Sequence, residues 1–154
     1  MTIKIGINGL GRIGRMIIRS LIENNNKRIE IKHINSRSNT EVVSSLLMHD
    51  SIHGKFNCKI KYSEKHLTIN GKKITFSQHS NLNEIKWKNF GVDYVLECTG
   101  KFNSKDKLIP HIKNGAKKVI VSAPCKNADK TIVYGVNHKS INKNDLIISA
   151  ASCT

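Results

Sequence analysis

The chain has 154 residues, 38% of them hydrophobic, which suits one domain with a single core. No apolar run approaches the ~20 residues that a membrane span needs, so no membrane partner is expected. The net charge of +15 allows a polyanion partner, but only five of the 26 basic residues are Arg, the lysines are dispersed, and few aromatics lie among them as stacking platforms. That charge reads as solvated faces rather than as a nucleic-acid surface. Cys58, Cys98, Cys125 and Cys153 form no C-x-x-C pair, and the histidines form no H-E-x-x-H. Reduced thiols and no metal site are expected. The opening MTIKIGING lacks a basic region followed by an apolar stretch and a cleavage site, so no signal peptide is read and the cytoplasm is the expected compartment.

In chain order, residues 3–7 form an apolar, mostly β-branched strand, followed by a glycine-rich turn. RIGRMIIRSLIENN then places Ile13, Ile17 and Leu21, with Ile18 and Ile22, at helical spacing, and three asparagines end it. RIEIKHIN (28–35) reads as a second strand. SNTEVVSSLLMHD (38–50) reads as a helix entered through Ser38 or Asn39. CKIKYS, HLTI and KKITF are short strands, with Asn70-Gly71 as a hairpin signal between the last two. VDYVLECTG (92–100) reads as a buried strand. A helix entered through Ser104 runs to Asn114-Gly115 despite Pro110, a residue that helix interiors tolerate poorly. KKVIVSAP (117–124), TIVYGV and LIIS complete the strands.

Strands apolar on both faces that alternate with helices predict an α/β fold: a doubly wound, mostly parallel sheet with an antiparallel hairpin insertion. Between the first strand and first helix stands Gly9-Leu10-Gly11-Arg12-Ile13-Gly14, a G-x-G-x-x-G in the position that a dinucleotide-binding (Rossmann) fold requires. Gly9 allows the tight turn, Gly11 the approach of a pyrophosphate, and Gly14 the packing of helix on strand. The helix start supplies free N–H groups and partial positive charge for the phosphates.

Such a fold predicts an acidic residue about 20 positions on, to hold the adenosine ribose. HINSRS (33–38) offers none: Ser36 stands there with Arg37 behind it. A carboxylate would repel a 2′-phosphate, and its absence beside a guanidinium and hydroxyls favours acceptance of NADP as well as NAD.

INGLGRIGR (7–15), HDSIHGKF (49–56), NGKKI (70–74), ECTGKF (97–102), SAPCK (122–126), TIVYGVNH (131–138) and SAASCT (149–154) together resemble, in order and spacing, the phosphorylating glyceraldehyde-3-phosphate dehydrogenases. The match runs along the whole chain but covers only about half of the family's length. It implies that residues 1–149 are the NAD(P)-binding domain and 150–154 the start of a catalytic domain. It further implies that Cys153 is the nucleophile and that Ser152 and Thr154 bind a phosphate. Cofactor contacts are implied at Asn8, the glycines, Arg12, Ile13, Thr99, Gly100 and Ser122. Ser80 stands where many members carry Arg near the adenine, and Cys125 where Ser or Ala is usual.

The implied partners are a phosphorylated aldehyde and inorganic phosphate, and the implied assembly is a homotetramer. None of the seven histidines occupies the place of the family's catalytic His, so this chain alone is expected to be inactive. In the family a C-terminal helix packs on the cofactor domain; without it an apolar groove and poor solubility are expected. Erythrose-4-phosphate dehydrogenase shares most of these motifs. A non-catalytic dinucleotide- or RNA-binding module is the alternative of another class.

Overall fold

The computed structural model describes residues 2–151. Ser152, Cys153 and Thr154 lie outside the described residues. The chain runs β1 (Ile3–Asn8), α1 (Arg12–Glu23), β2 (Ile29–Asn35), α2 (Thr40–Met48), β3 (His49–Asp50), β4 (Gly54–Lys55), β5 (Ile60–Ser63), β6 (His66–Ile69), β7 (Lys72–Ser77), β8 (Tyr94–Glu97), α3 (Lys105–Lys113), β9 (Lys118–Val121), β10 (Lys130–Thr131) and β11 (Ile147–Ser149). Short 3-10 turns stand at Leu82–Glu84, Trp87–Phe90 and His138–Ser140.

Among the described residues one nine-stranded sheet carries the fold, in the order β10-β11-β9-β8-β1-β2-β7-β6-β5. Every pairing from β10 to β7 is parallel. The expected fold class therefore holds, with one refinement. β7 pairs parallel with β2, so only β6 and β5 form the antiparallel insertion. The β6–β7 turn is made by Asn70 and Gly71, both at positive φ (49° and 81°), the conformation of the tight hairpin turns that Asn-Gly favours.

Three expected elements are corrected. The helix predicted to reach Asp50 stops at Met48, because His49 and Asp50 leave it to pair with Gly54–Lys55 in a two-stranded ribbon. Its entry is settled at Asn39, whose side chain accepts the Val42 N–H. The strand read over 92–100 is regular only over Tyr94–Glu97. TIVYGV is not a buried strand: only Thr131 joins the sheet, while Val133, Tyr134 and Val136 are 49%, 88% and 80% exposed. Pro110 does lie inside α3, as the sequence reading accepted.

Two cores cover the two faces of the sheet. On one face α1 and α2 pack Ile18, Val43 and Leu47 against Ile5, Ile7, Ile34, Leu67 and Phe76. On the other, α3 and the turns around Leu82 and Trp87 pack against Val95, Val119, Val121 and Ile147. The first face is incompletely covered: Ile3, Ile5, Ile17, Leu21, Ile29, Tyr94, Leu96 and Ile120 line an open apolar groove of about 360 Å³.

Candidate dinucleotide-binding cleft

The C-terminal ends of β1, β2 and β8 meet the start of α1 at a cleft of about 350 Å³. β2 lies on one side of β1 and β8 on the other, so the cleft sits where the strand order reverses, the usual ligand position in open α/β sheets. Asn8, Gly9, Gly11, Ser36, Arg37, Ser80 and Thr99 line it together. Seven of the residues singled out from sequence thus converge on one site from four separate stretches of chain. Arg12, Ile13, Gly14, Gly100 and Ser122 are not among the residues that line it.

The phosphate loop has the sterics that its glycines predict. Gly9 has φ 93°, and a Cβ there would meet the Thr99 backbone N at 2.8 Å. A Cβ at Gly14 would lie 2.2 Å from the Gly9 carbonyl oxygen, so α1 reaches the loop only because position 14 has no side chain. A Cβ at Gly11 would meet nothing within 4 Å. α1 is entered through Gly11, which offers no side-chain cap, and has no acidic residue in its first turn. Its first N–H groups, those of Arg12 and Ile13 among them, are therefore left without intrahelical acceptors, an arrangement suited to an anion. Arg15, in that same turn, donates from Nη1 to the Leu10 carbonyl at 3.0 Å and so braces the loop. Its buried Nε has no hydrogen-bond partner among the described residues. An uncapped helix start, a glycine cradle and an orphaned guanidinium nitrogen fit a dinucleotide pyrophosphate.

At the β2 end, Ser36 is 7% exposed and its N–H donates to Ser77 O at 3.0 Å. Arg37 is exposed; its carbonyl accepts from Gln78 Nε2, and its guanidinium makes no hydrogen bond or ion pair among the described residues. The lining carries Arg15, Arg37 and Lys101 and no carboxylate.

Sequence reasoning missed the floor. Asn35 Nδ2 donates to Asn8 Oδ1 at 2.8 Å and to His79 O at 2.9 Å, while Asn35 Oδ1 accepts from Ser77 Oγ and the His79 N–H. Asn8 Nδ2 donates to Glu97 Oε2 at 2.6 Å. The Asn8 side chain is thus committed to shaping the floor. Arg15, Asn35, His79 and Lys101, with Leu46 and Phe102 as apolar walls, were also missed. Glu97 did leave a signal: an acid ending a strand with both neighbours apolar is a buried charge in need of partners.

The described cysteines are poor nucleophiles. Burial pushes the Cys98 thiol up to about 11, and burial also raises Cys58 and Cys125. Cys153, expected to be the nucleophile, lies outside the described residues. No group of three His, Cys, Asp or Glu side chains suited to a metal ion occurs among the described residues. Nor is any described helix long and apolar enough to cross a membrane.

Residues 3–105 match the family model described as glyceraldehyde 3-phosphate dehydrogenase, NAD binding domain. The chain is 44% identical over 154 residues to glyceraldehyde-3-phosphate dehydrogenase of Cereibacter sphaeroides, covering all of this chain and 46% of that protein. To the Thermotoga maritima protein of the same name it is 42% identical over 151 residues, 98% of this chain and 45% of that one. To that of Lactobacillus delbrueckii subsp. bulgaricus it is 45% identical over 157 residues, again the whole chain against 46%. The chain thus spans about half the length of the curated relatives it matches. A cleft built for a pyrophosphate, in a sheet of this topology and with this similarity along its length, places the chain in the glyceraldehyde 3-phosphate dehydrogenase family, in its NAD-binding domain.

Proposed function

We propose that the chain is the cofactor-binding part of a phosphorylating glyceraldehyde-3-phosphate dehydrogenase, with residues 1–149 as the dinucleotide domain and 150–154 as the first residues of the catalytic domain. The observation that carries this reading is the phosphate loop, whose Gly9–Gly14 contact and uncapped α1 leave room and donors for a pyrophosphate. The whole enzyme would oxidise an aldehyde with phosphate to an acyl phosphate. In it, the Cys153 thiolate would add to the aldehyde to give a hemithioacetal, and loss of hydride from that carbon would give a thioester. Phosphate would then attack the thioester carbonyl, breaking its C–S bond to release acyl phosphate and restore the thiolate. The bound nicotinamide dinucleotide supplies the hydride acceptor. Ser152 and Thr154 would hold a phosphate, Thr99, Gly100 and Ser122 would border the cofactor, and Ser80 would lie near its adenine.

A free thiol of pKa about 8.5 needs a helix start or a basic partner to react near neutrality. None of the seven histidines matches the family's catalytic position, so the purified chain binds cofactor but makes no acyl phosphate. Turnover by this chain alone would refute that statement. The proposed substrates of the full enzyme are a phosphorylated aldehyde and inorganic phosphate, its assembly a homotetramer, and its compartment the cytoplasm.

Ser36 and Arg37 favour acceptance of NADP alongside NAD. Both line the cleft where an acid would otherwise exclude the 2′-phosphate, and the Arg37 guanidinium is available to it. Parallel titrations of NAD⁺ and NADP⁺ test this. Affinities within about tenfold of each other support it, and NAD⁺ tighter by more than that sinks it.

A further inference from the structure

Glu97 ends β8 beneath the floor of the cleft and is 1% exposed. Its carboxylate accepts from Asn8 Nδ2 at 2.6 Å, from the Thr99 N–H at 2.8 Å, from the Thr99 hydroxyl, and from His111 Nε2 at 3.0 Å. The protonation of His111 follows from its other nitrogen. The Trp87 indole N–H, which can only donate, reaches His111 Nδ1 at 2.8 Å. Nδ1 is therefore the lone pair, Nε2 carries the single ring proton, and His111 is a neutral donor. All four groups that bond to Glu97 are neutral, and each one donates. Its carboxylate is an acceptor-only anion, buried with no cation among its hydrogen-bond partners.

Topology decides which half of a bound dinucleotide feels that charge. The adenosine half belongs over β2, at Ser36, and the pyrophosphate at the start of α1. The remaining nucleoside, which carries the nicotinamide, then lies on the β8 side, above Thr99 and Glu97. Apart from Arg37, on the Ser36 side, the cationic side chains that line the cleft act elsewhere. Arg15 is turned to the phosphate loop, which both redox forms of the cofactor contact alike, and Lys101 is exposed, where salt screens it. Glu97 is buried, where screening is weak and a unit charge acts at lower effective dielectric.

Resting on the dinucleotide reading above, we propose that Glu97 sets the redox-state preference of the cleft: its buried negative charge favours the oxidised cofactor, whose nicotinamide ring is cationic, over the reduced one, whose ring is neutral. The carboxylate acts through space on the ring and through Asn8 and Thr99 on the shape of the floor. These two roles separate by experiment.

NAD⁺, NADH and ADP-ribose, which lacks the nicotinamide, are titrated by calorimetry into the wild-type chain and into Glu97→Gln at one salt concentration near neutral pH. The wild type is expected to bind NAD⁺ at least about threefold more tightly than NADH, and Glu97→Gln to weaken NAD⁺ by about fivefold while moving NADH and ADP-ribose less than about twofold. An equal loss for all three ligands makes Glu97 a prop of the floor and overturns the proposal. If Glu97→Gln does not fold, the wild-type order decides alone, and NADH tighter than NAD⁺ overturns it. A wild type that binds none of the three overturns the dinucleotide reading as well. That result is distinct from binding all three without discrimination.

Discussion

β8 has two faces with different fates. Tyr94 and Leu96 point to the side of α1, where they end in the open apolar groove with Ile120, itself 36% exposed. Val95 and Glu97 point to the side of α3, into a sealed layer with Trp87, Leu108 and His111, each fully buried. The strand supplies apolar residues to both sides, so its sequence alone predicts two buried faces. What differs is the cover. α3 and the turn at Trp87 close one side completely, whereas α1 spans only part of the other. The closed side can also hold polar groups, because the Trp87–His111–Glu97–Asn8 series satisfies each of them in turn.

The comparison breaks most sharply at Trp87. Trp87→Ala removes the largest buried side chain and leaves His111 Nδ1 without its donor, and is expected to cost about 3–5 kcal/mol in urea unfolding. Leu108→Ala, on the same side, should cost about 2–5 kcal/mol. Acid sharpens the contrast, since the closed side holds a titrating imidazole. His33 stacks on Phe90 at 3.6 Å and meets the Trp87 edge at 5.6 Å. Burial first, and then the neighbouring His79, bring its pKa from 6.5 to about 3. A lowered pKa means that the unfolded chain takes up the proton first. The stability due to neutral His33 is thus complete above pH 6.5 and drains away as the pH falls toward 3. Relative to His33→Gln, the wild type should lose ~1.4 kcal/mol per pH unit across that window, read from urea midpoints. The smallest effect belongs to the open side: Ile120→Ala should stay within about 0.5 kcal/mol of wild type.

Local chemistry made much of this legible in the sequence. The turn at Gly9–Gly14, the Asn70-Gly71 hairpin and the Asn39 cap are each decided within a few residues. The parallel order followed from apolar strands alternating with helices. TIVYGV misled because a short apolar run states that its residues suit burial and not what would bury them; Tyr134 lies against the His138 ring with centroids 4.7 Å apart and stays 88% exposed. The buried Trp87 sits on a 3-10 turn, too short to leave a periodic signal. The floor was hidden for another reason: Asn8, Asn35, Glu97 and His111 stand in four different elements, and no spacing in the chain announces their meeting.

That meeting also sets an order of events during synthesis. β1 is made first, yet its neighbours are β2 and a strand that begins at Tyr94, and Asn8 must wait for a partner 89 residues away. Until Thr99 has been added, the phosphate loop lacks its Thr99 wall and the Glu97 end of its floor. Pairings that span such separations form slowly, because the loop between them must close before the contact repays it. The nascent chain therefore carries its first strand with one edge open through most of the domain's translation, and a dinucleotide can stabilise only the late, closed stage of folding.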